Sequence, residues 1–233
     1  MPKTFLSTLV FAAGAALFAL AGAAQATPLL IGTPNAGSGN SFPFTSSAGS
    51  RYQQVYAASS FSGTVTIGSI TFFNNELPGA IFQTGDYAFT FSTSNFTVNN
   101  LDTANLNNNP GADAALFASL NLSGATGAQF TVTAGTGGGA AFVYDPSAGD
   151  LLVDIVRSNP AGAGSGFLDA MNEGTAGGLF SRAHDFGTGF QNWGLVTEFD
   201  ITTASVSVPE PAALALFGFG LAGLGYARRR KTA

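Results

Sequence analysis

The sequence predicts an all-β fold, an antiparallel β-sandwich or jelly-roll-like domain, flanked by two terminal segments of a different kind. Between residues 27 and 208 the chain is rich in Gly, Ser, Thr, Asn, Ala and Phe, and poor in the residues that build surface helices. Short stretches there alternate apolar and polar side chains, as half-buried strands require. A helical pattern is limited to one or two turns near residues 113–120. No repeat of fixed period is present, which disfavours a propeller or a solenoid.

The alternating stretches predict individual strands at 64–73, 86–92, 129–133 and 193–201. In the first of them the apolar phase changes between Ile67 and Ile70, which predicts a β-bulge at Gly68 and Ser69. In the last, the alternation predicts one continuous final strand. The predicted core residues are Phe89, Phe91, Phe142, Val153, Ile155 and Phe199.

Residues 145–150, Asp-Pro-Ser-Ala-Gly-Asp, lie between the apolar runs 141–144 and 151–156. Two apolar runs around a turn that contains Pro and Gly predict a β-hairpin. Asp145 and Asp150 are the candidate ligands for calcium, which needs only oxygen atoms. The favoured interpretation is that Asp145 caps the turn and Asp150 lies in solvent, so we expect no metal and no other cofactor. One histidine and no cysteine exclude a zinc site of ordinary composition.

Residues 1–26 are typical of a secretory signal peptide. Lys3 supplies a positive charge, residues 5–22 contain no charge, and Ala-Gln-Ala at 24–26 is the small-x-small pattern at which signal peptidase cuts. We therefore expect a mature domain that begins at Thr27 and extends to residue 204; an N-terminal membrane anchor is the alternative. Because the chain has no cysteine, an exported fold must depend on its apolar core instead of disulfides.

The C-terminal segment, residues 205–233, has three parts in a fixed order. These are Pro209, Glu210 and Pro211, then an apolar run over 212–227, then Arg228, Arg229, Arg230 and Lys231. A basic cluster directly after an apolar helix resists translocation, so this order predicts a transmembrane helix whose basic end stays in the cytoplasm. The apolar run is slightly shorter than the roughly 20 residues that span a bilayer core. A short span favours a temporary anchor, with a permanent single-pass anchor as the alternative.

This three-part arrangement resembles the sorting tail of the bacterial PEP-CTERM proteins, whose signature is the triplet at residues 209–211. The resemblance implies that an exosortase in the inner membrane recognises the tail, after which the protein reaches the cell surface or the extracellular space. It also implies an association with extracellular polysaccharide and biofilm. Short stretches of the body, among them 51–56 and 180–182, resemble PEP-CTERM proteins of unassigned function, so this likeness implies no activity.

The charge of residues 27–208 narrows the class of partner. Twelve acidic residues there face only Arg51, Arg157 and Arg182, which gives a net charge of −9, and there is no lysine. Such a surface repels phosphate backbones, which excludes nucleic acid as an expected partner. Cations, neutral polysaccharides and other proteins remain.

The sequence contains no motif that identifies catalytic residues. We therefore expect no catalytic site and no enzymatic activity. His184, the only histidine, is followed by Asp185, a pattern typical of a surface pair, and no Gly-x-Ser-x-Gly elbow is present. A secreted hydrolase is therefore the second alternative to a non-enzymatic surface protein.

A carbohydrate-binding β-sandwich is the first alternative. Trp193 with Tyr52 and Tyr56 would form a platform on which a sugar stacks, although aromatics at alternating strand positions are more often core residues. The asparagine-rich stretch 99–111 predicts a long polar loop of the kind that carries binding surfaces. Nothing in it identifies the ligand.

Overall fold

The computed structural model describes residues 25–34, 38–75, 78–172, 178–186 and 193–203, together with Gly218. All of these except Gly218 lie in one compact unit, Ala24–Ser205. Most of the predicted signal peptide, residues 1–24, lies outside the described residues, as do the Pro-Glu-Pro triplet and the basic cluster of the tail. Within the described part of the chain, no helix has the length and apolar character needed to span a membrane.

The described chain consists almost entirely of antiparallel β-strands, joined by turns and three short 3₁₀ segments, which confirms the predicted all-β class. The strands are β1 (Thr27–Ile31), β2 (Gly39–Asn40), β3 (Arg51–Tyr56), β4 (Val65–Phe73), β5 (Thr84–Thr93), β6 (Ala115–Leu122), β7 (Gln129–Thr133), β8 (Phe142–Tyr144), β9 (Leu151–Ala161), β10 (Leu168–Asn172), β11 (Phe180–His184), β12 (Trp193–Leu195) and β13 (Thr197–Thr203).

The described strands form three sheets, in which every pairing is antiparallel. Sheet 1 has the order β1-β13-β4-β7, with β8 also paired to β4. Sheet 2 has the order β11-β3-β9-β5-β6, and the small sheet 3 has the order β12-β10-β2. The connection pattern of a jelly roll stays a prediction.

Sheets 1 and 2 contribute side chains to one hydrophobic core. Ile67 and Phe199 from sheet 1 belong to the same buried cluster as Phe89 and Val153 from sheet 2. The six predicted core residues are all buried, and Phe142, at 7% exposure, is the most accessible of them. Burial of apolar area contributes roughly 25 cal/mol per Å². Burial in a core shared by two sheets therefore stabilises the fold without disulfides, which a chain with no cysteine cannot form.

Several predicted strands coincide with observed ones. β7 has the predicted bounds, and the alternation over 86–92 lies inside β5, with Tyr87, Phe89 and Phe91 buried. The bulge is confirmed as well. Asp200 pairs with Ser69 and Ile201 with Ile67, so Gly68 has no partner on β13.

The predicted hairpin at 145–150 is wrong. β8 pairs with β4 in sheet 1, whereas β9 pairs with β3 and β5 in sheet 2. The turn signal is correct, because Asp145 Oδ1 accepts a hydrogen bond from the Ser147 amide and the Tyr144 hydroxyl donates to the Gly149 carbonyl. The connection carries the chain from sheet 1 to sheet 2. Both flanking runs contribute buried residues to the one core that the two sheets share.

Two other expectations are corrected. The segment predicted to contain helical turns forms β6, because its backbone pairs with β5 over seven residue pairs and this pairing overrides local propensity. The predicted final strand is divided: β12 pairs with β10, while β13 pairs with β1 and β4. The apolar phase continues through the break, so the sequence alone does not reveal the change of sheet.

Candidate functional site

The two candidate calcium ligands have separate structural tasks. Asp145 is exposed and caps its turn, and the hydrogen bond from the Ser147 amide lowers the pKa of its carboxyl. Asp150 is half-buried instead of solvated: Oδ1 accepts from the Ala58 amide at 2.8 Å and Oδ2 from the Val98 amide at 2.9 Å. The described residues contain no cluster of three side chains suited to a metal ion. The hydrogen bond from the Ser147 amide is the cap that the capped-turn interpretation predicts for Asp145.

His184 lies at a buried aromatic corner and not in a surface pair. Its ring is 5.2 Å from that of Phe42 and nearly parallel to it, and the side chain is 8% exposed. Burial lowers the pKa of His184, and the charge of Arg182 lowers it further. The neighbouring Asp185 carboxylate accepts hydrogen bonds from the amide and hydroxyl of Ser50.

Ser181 and His184 do not form a catalytic dyad. They are three residues apart on β11, so their side chains point to opposite faces of sheet 2. The Ser181 hydroxyl accepts a hydrogen bond from the backbone amide of Asn99 at 2.7 Å. Its position is thus determined by the polar loop that covers the outer face of the sheet.

Tyr52 and Tyr56 are core residues, as their alternating positions favoured, and take no part in the sugar-stacking platform that was the alternative. Tyr52 and Tyr56 are each 1% exposed, and Tyr52 donates to Gln54 Oε1 while Tyr56 shares a hydrogen bond with Thr197. Burial raises the pKa of Tyr52 to about 12. Trp193 is half-buried, and the Arg182 guanidinium lies 5.8 Å from its ring centroid. The three aromatic residues thus offer no common exposed surface.

The arginines of the body are also used internally. Arg51 forms an ion pair with Asp154 and donates to Asn107 Oδ1. Arg157, at 6% exposure, donates to the carbonyls of Ser46, Ser47 and Gly49 and so fixes the segment before β3. These contacts leave the described surface with little accessible positive charge, which strengthens the argument against a polyanionic partner.

One depression of the surface, open to solvent and called the cavity below, brings together residues that the sequence did not connect. It has a volume of about 250 Å³ and includes Ser59, Thr97, Asn99 and Asp150 in its lining. The sequence marks Asp150 as a calcium candidate and Asn99 as part of a polar loop. Ser59 and Thr97 were missed, because a serine or threonine in a turn carries no signal of its own.

The comparison with protein families identifies the tail. Residues 207–231 match the family model of the PEP-CTERM protein-sorting motif. This range includes the triplet at 209–211 and the basic residues 228–231. The chain therefore carries a PEP-CTERM sorting motif, which implies export and processing by an exosortase at the membrane. No curated protein and no solved structure matches the chain.

Proposed function

We propose that this chain is an exported, non-enzymatic protein of the cell surface or extracellular matrix, linked to exopolysaccharide and biofilm. The match of residues 207–231 to the PEP-CTERM sorting motif carries the proposal. Signal peptidase acts first, before Thr27. The C-terminal apolar run then holds the chain in the inner membrane until an exosortase processes the tail.

The structural tasks of the reactive side chains support a non-enzymatic role. Asp154 pairs with Arg51, and the Asp185 carboxylate accepts hydrogen bonds from Ser50. His184 is stacked and buried. A catalytic acid or base must reach the proton that it transfers, and groups held in this way are poorly placed for that task.

The fold is compatible with a role outside the cell. An all-β domain without cysteine depends on neither disulfide formation nor a reducing compartment. Its surface is acidic and free of lysine, so contact with neutral polymers such as polysaccharides meets no charge barrier.

The sorting step is tested by replacing residues 209–211 with three alanines in the full chain, followed by fractionation of cells and medium. We expect the variant to cross the inner membrane but to accumulate in the membrane fraction, while the parent protein leaves it. A second variant, Glu210→Gln, changes only the charge of the triplet. Its matched control is Glu198→Gln, which makes the same chemical change in the body of the protein. Equal release of the triple-alanine variant and the parent would overturn the proposed role of the tail.

The link to polysaccharide is tested separately by treating isolated matrix with glycosidases. We expect digestion of the polysaccharide to release the mature protein together with sugar. Protein that stays sedimentable after complete digestion of the polysaccharide would contradict this part of the proposal.

A further inference from the structure

The cavity beside Asp150 is built by four separate parts of the chain at one end of sheet 2. Ala57 and Ser59 follow β3, Asp150 precedes β9, residues 97–99 belong to the polar loop, and Gly178 precedes β11. Backbone hydrogen bonds join these parts: the Ala57 amide donates to the Leu179 carbonyl. The walls are therefore positioned by the sheet and do not depend on a single loop.

The carboxylate of Asp150 is held in one orientation. Each of its oxygens accepts one backbone amide, from Ala58 and from Val98. A carboxylate oxygen has a second lone pair, so each can accept one more hydrogen bond from a ligand. A group fixed in advance loses little entropy when it binds, which favours recognition.

The other polar side chains of the lining extend this pattern. Ser59 and Thr97 are exposed and contribute hydroxyl groups, which both donate and accept. Asn99 also lines the cavity; its side-chain Oδ1 is buried, and its backbone stands in the left-handed region at φ 66°. Val98 and Ala57 supply apolar surface between these groups.

Size and chemistry together select the ligand class. A volume of about 250 Å³ is below the roughly 300–1,000 Å³ of pockets for drug-sized molecules. Calcium requires six to eight oxygen ligands, and Asp150 is the one carboxylate among the described residues that line the cavity. A neutral molecule with several adjacent hydroxyl groups matches a carboxylate, an amide and two hydroxyls.

We propose that this cavity binds a single sugar ring through two adjacent hydroxyl groups, with Asp150 as acceptor and Asn99, Ser59 and Thr97 completing the hydrogen bonds. The proposal rests on the proposed function in one respect, since it names the part of a polysaccharide that the exported domain contacts. A glycan end or branch fits the small volume better than the middle of a polymer.

The test uses the full chain, purified in a detergent without a sugar head group so that the detergent does not occupy the cavity. Saturation-transfer difference NMR is recorded with the methyl glycosides of glucose, galactose, mannose and fucose. We expect transfer to at least one of them. Asn99→Gly removes the amide but keeps the left-handed backbone, because glycine adopts positive φ without strain; it should weaken binding roughly tenfold.

The matched control is Asn159→Gly. Asn159 also has a positive φ, of 49°, but it lies near the far end of β9, roughly 30 Å along the strand from Asp150. It should bind like the parent chain. A second variant, Ser59→Trp, fills the cavity and should abolish binding, with circular dichroism as the check on folding.

The outcomes are separable. Absence of transfer for all four glycosides, or equal transfer in the parent, Asn99→Gly and Ser59→Trp, overturns the sugar site. So does a comparable loss in Asn159→Gly. Loss of sugar binding with normal sorting leaves the proposed function in place, whereas failed sorting with sugar binding intact overturns that function and not the cavity.

Discussion

At the scale of single residues, the most reactive side chains of this sequence stabilise the fold. His184 illustrates the point, because its ring stacks on Phe42 and is buried. Burial, and next the charge of Arg182, lower its pKa below the ordinary value near 6.5. The unfolded chain therefore binds a proton at a higher pH than the folded one does.

It follows that stability should fall as the pH drops below about 6.5, through the lowered pKa of His184 in the folded state. The stability that the neutral His184 ring contributes is fully present above about pH 6.5. Denaturant unfolding at about pH 7.5 and 5.5 measures the change, since most carboxylates stay ionised at both values. His184→Phe keeps an aromatic ring but cannot take up a proton, so its stability should change less across this interval. An equal change in both proteins would show that another group is responsible.

The aromatic core gives a second prediction. Phe91 is fully buried and stacks on Phe117 with ring centroids 4.1 Å apart. Phe91→Ala should therefore cost about 3–5 kcal/mol, a large part of the roughly 5–15 kcal/mol that stabilises a domain. Phe186→Ala is the matched control, because Phe186 is 52% exposed, and it should cost about 1 kcal/mol or less. Similar losses for both would contradict the described core, and equilibrium unfolding in urea distinguishes them.

Asp145 and Asp150 should differ in the same assay. Asp150→Ala leaves the amides of Ala58 and Val98 without their acceptor, which should cost about 1–3 kcal/mol. Asp145→Ala removes a cap from an exposed turn and should cost less. Added calcium should leave the melting temperature of the parent unchanged. A rise that a chelator reverses, and that either variant abolishes, would restore calcium as a ligand.

At the scale of strands, the sequence predicts local periodicity well and pairing poorly. The alternation in 86–92 and the bounds of β7 depend on neighbouring residues only, so they are visible in the chain itself. Pairing depends on distant residues: a turn such as 145–150 joins two strands of one sheet or of two sheets with the same residues. The cavity could not be predicted from the sequence for the same reason, because Ser59, Asn99 and Asp150 come together only when β3 and β9 pair.

The outer side of β6, the last strand of sheet 2, is covered by the segment 134–140. The amides of Gly135 and Ala140 donate to the carbonyls of Phe117 and Leu116. A covered edge cannot pair with another chain, which protects against aggregation.

Gly139→Ala should remove this cover, because a Cβ at position 139 would collide with the Phe117 carbonyl. We expect a loss of about 1–3 kcal/mol, together with faster hydrogen exchange along β6 and a tendency to aggregate. Gly68→Ala is the control, since its Cβ would have ordinary contacts, the nearest at 3.7 Å. Unchanged exchange along β6 in Gly139→Ala would show that the segment does not protect the edge.

At the scale of the whole molecule, the sequence is most informative where the described structure ends. The sorting motif at 207–231 is a linear signal, so the order of its parts is sufficient to identify it. The role of the folded domain depends on a surface assembled from distant residues, and the sequence alone did not reveal that surface. Destination and binding are therefore separate questions for this chain, with separate tests.

The two ends of the mature protein should both differ from those of the full chain. We expect mass spectrometry of surface or released material to find a peptide that begins at Thr27 and none from residues 214–231. Chymotrypsin suits this experiment, because residues 27–208 contain only three arginines and no lysine. The new N-terminus serves as an internal control, since it shows that the molecules recovered had been exported. In the Glu210→Gln variant we expect the same N-terminus but retention of the tail peptide, because export precedes recognition of the triplet. Recovery of residues 214–231 on the unaltered surface protein would instead identify the tail as a permanent membrane anchor.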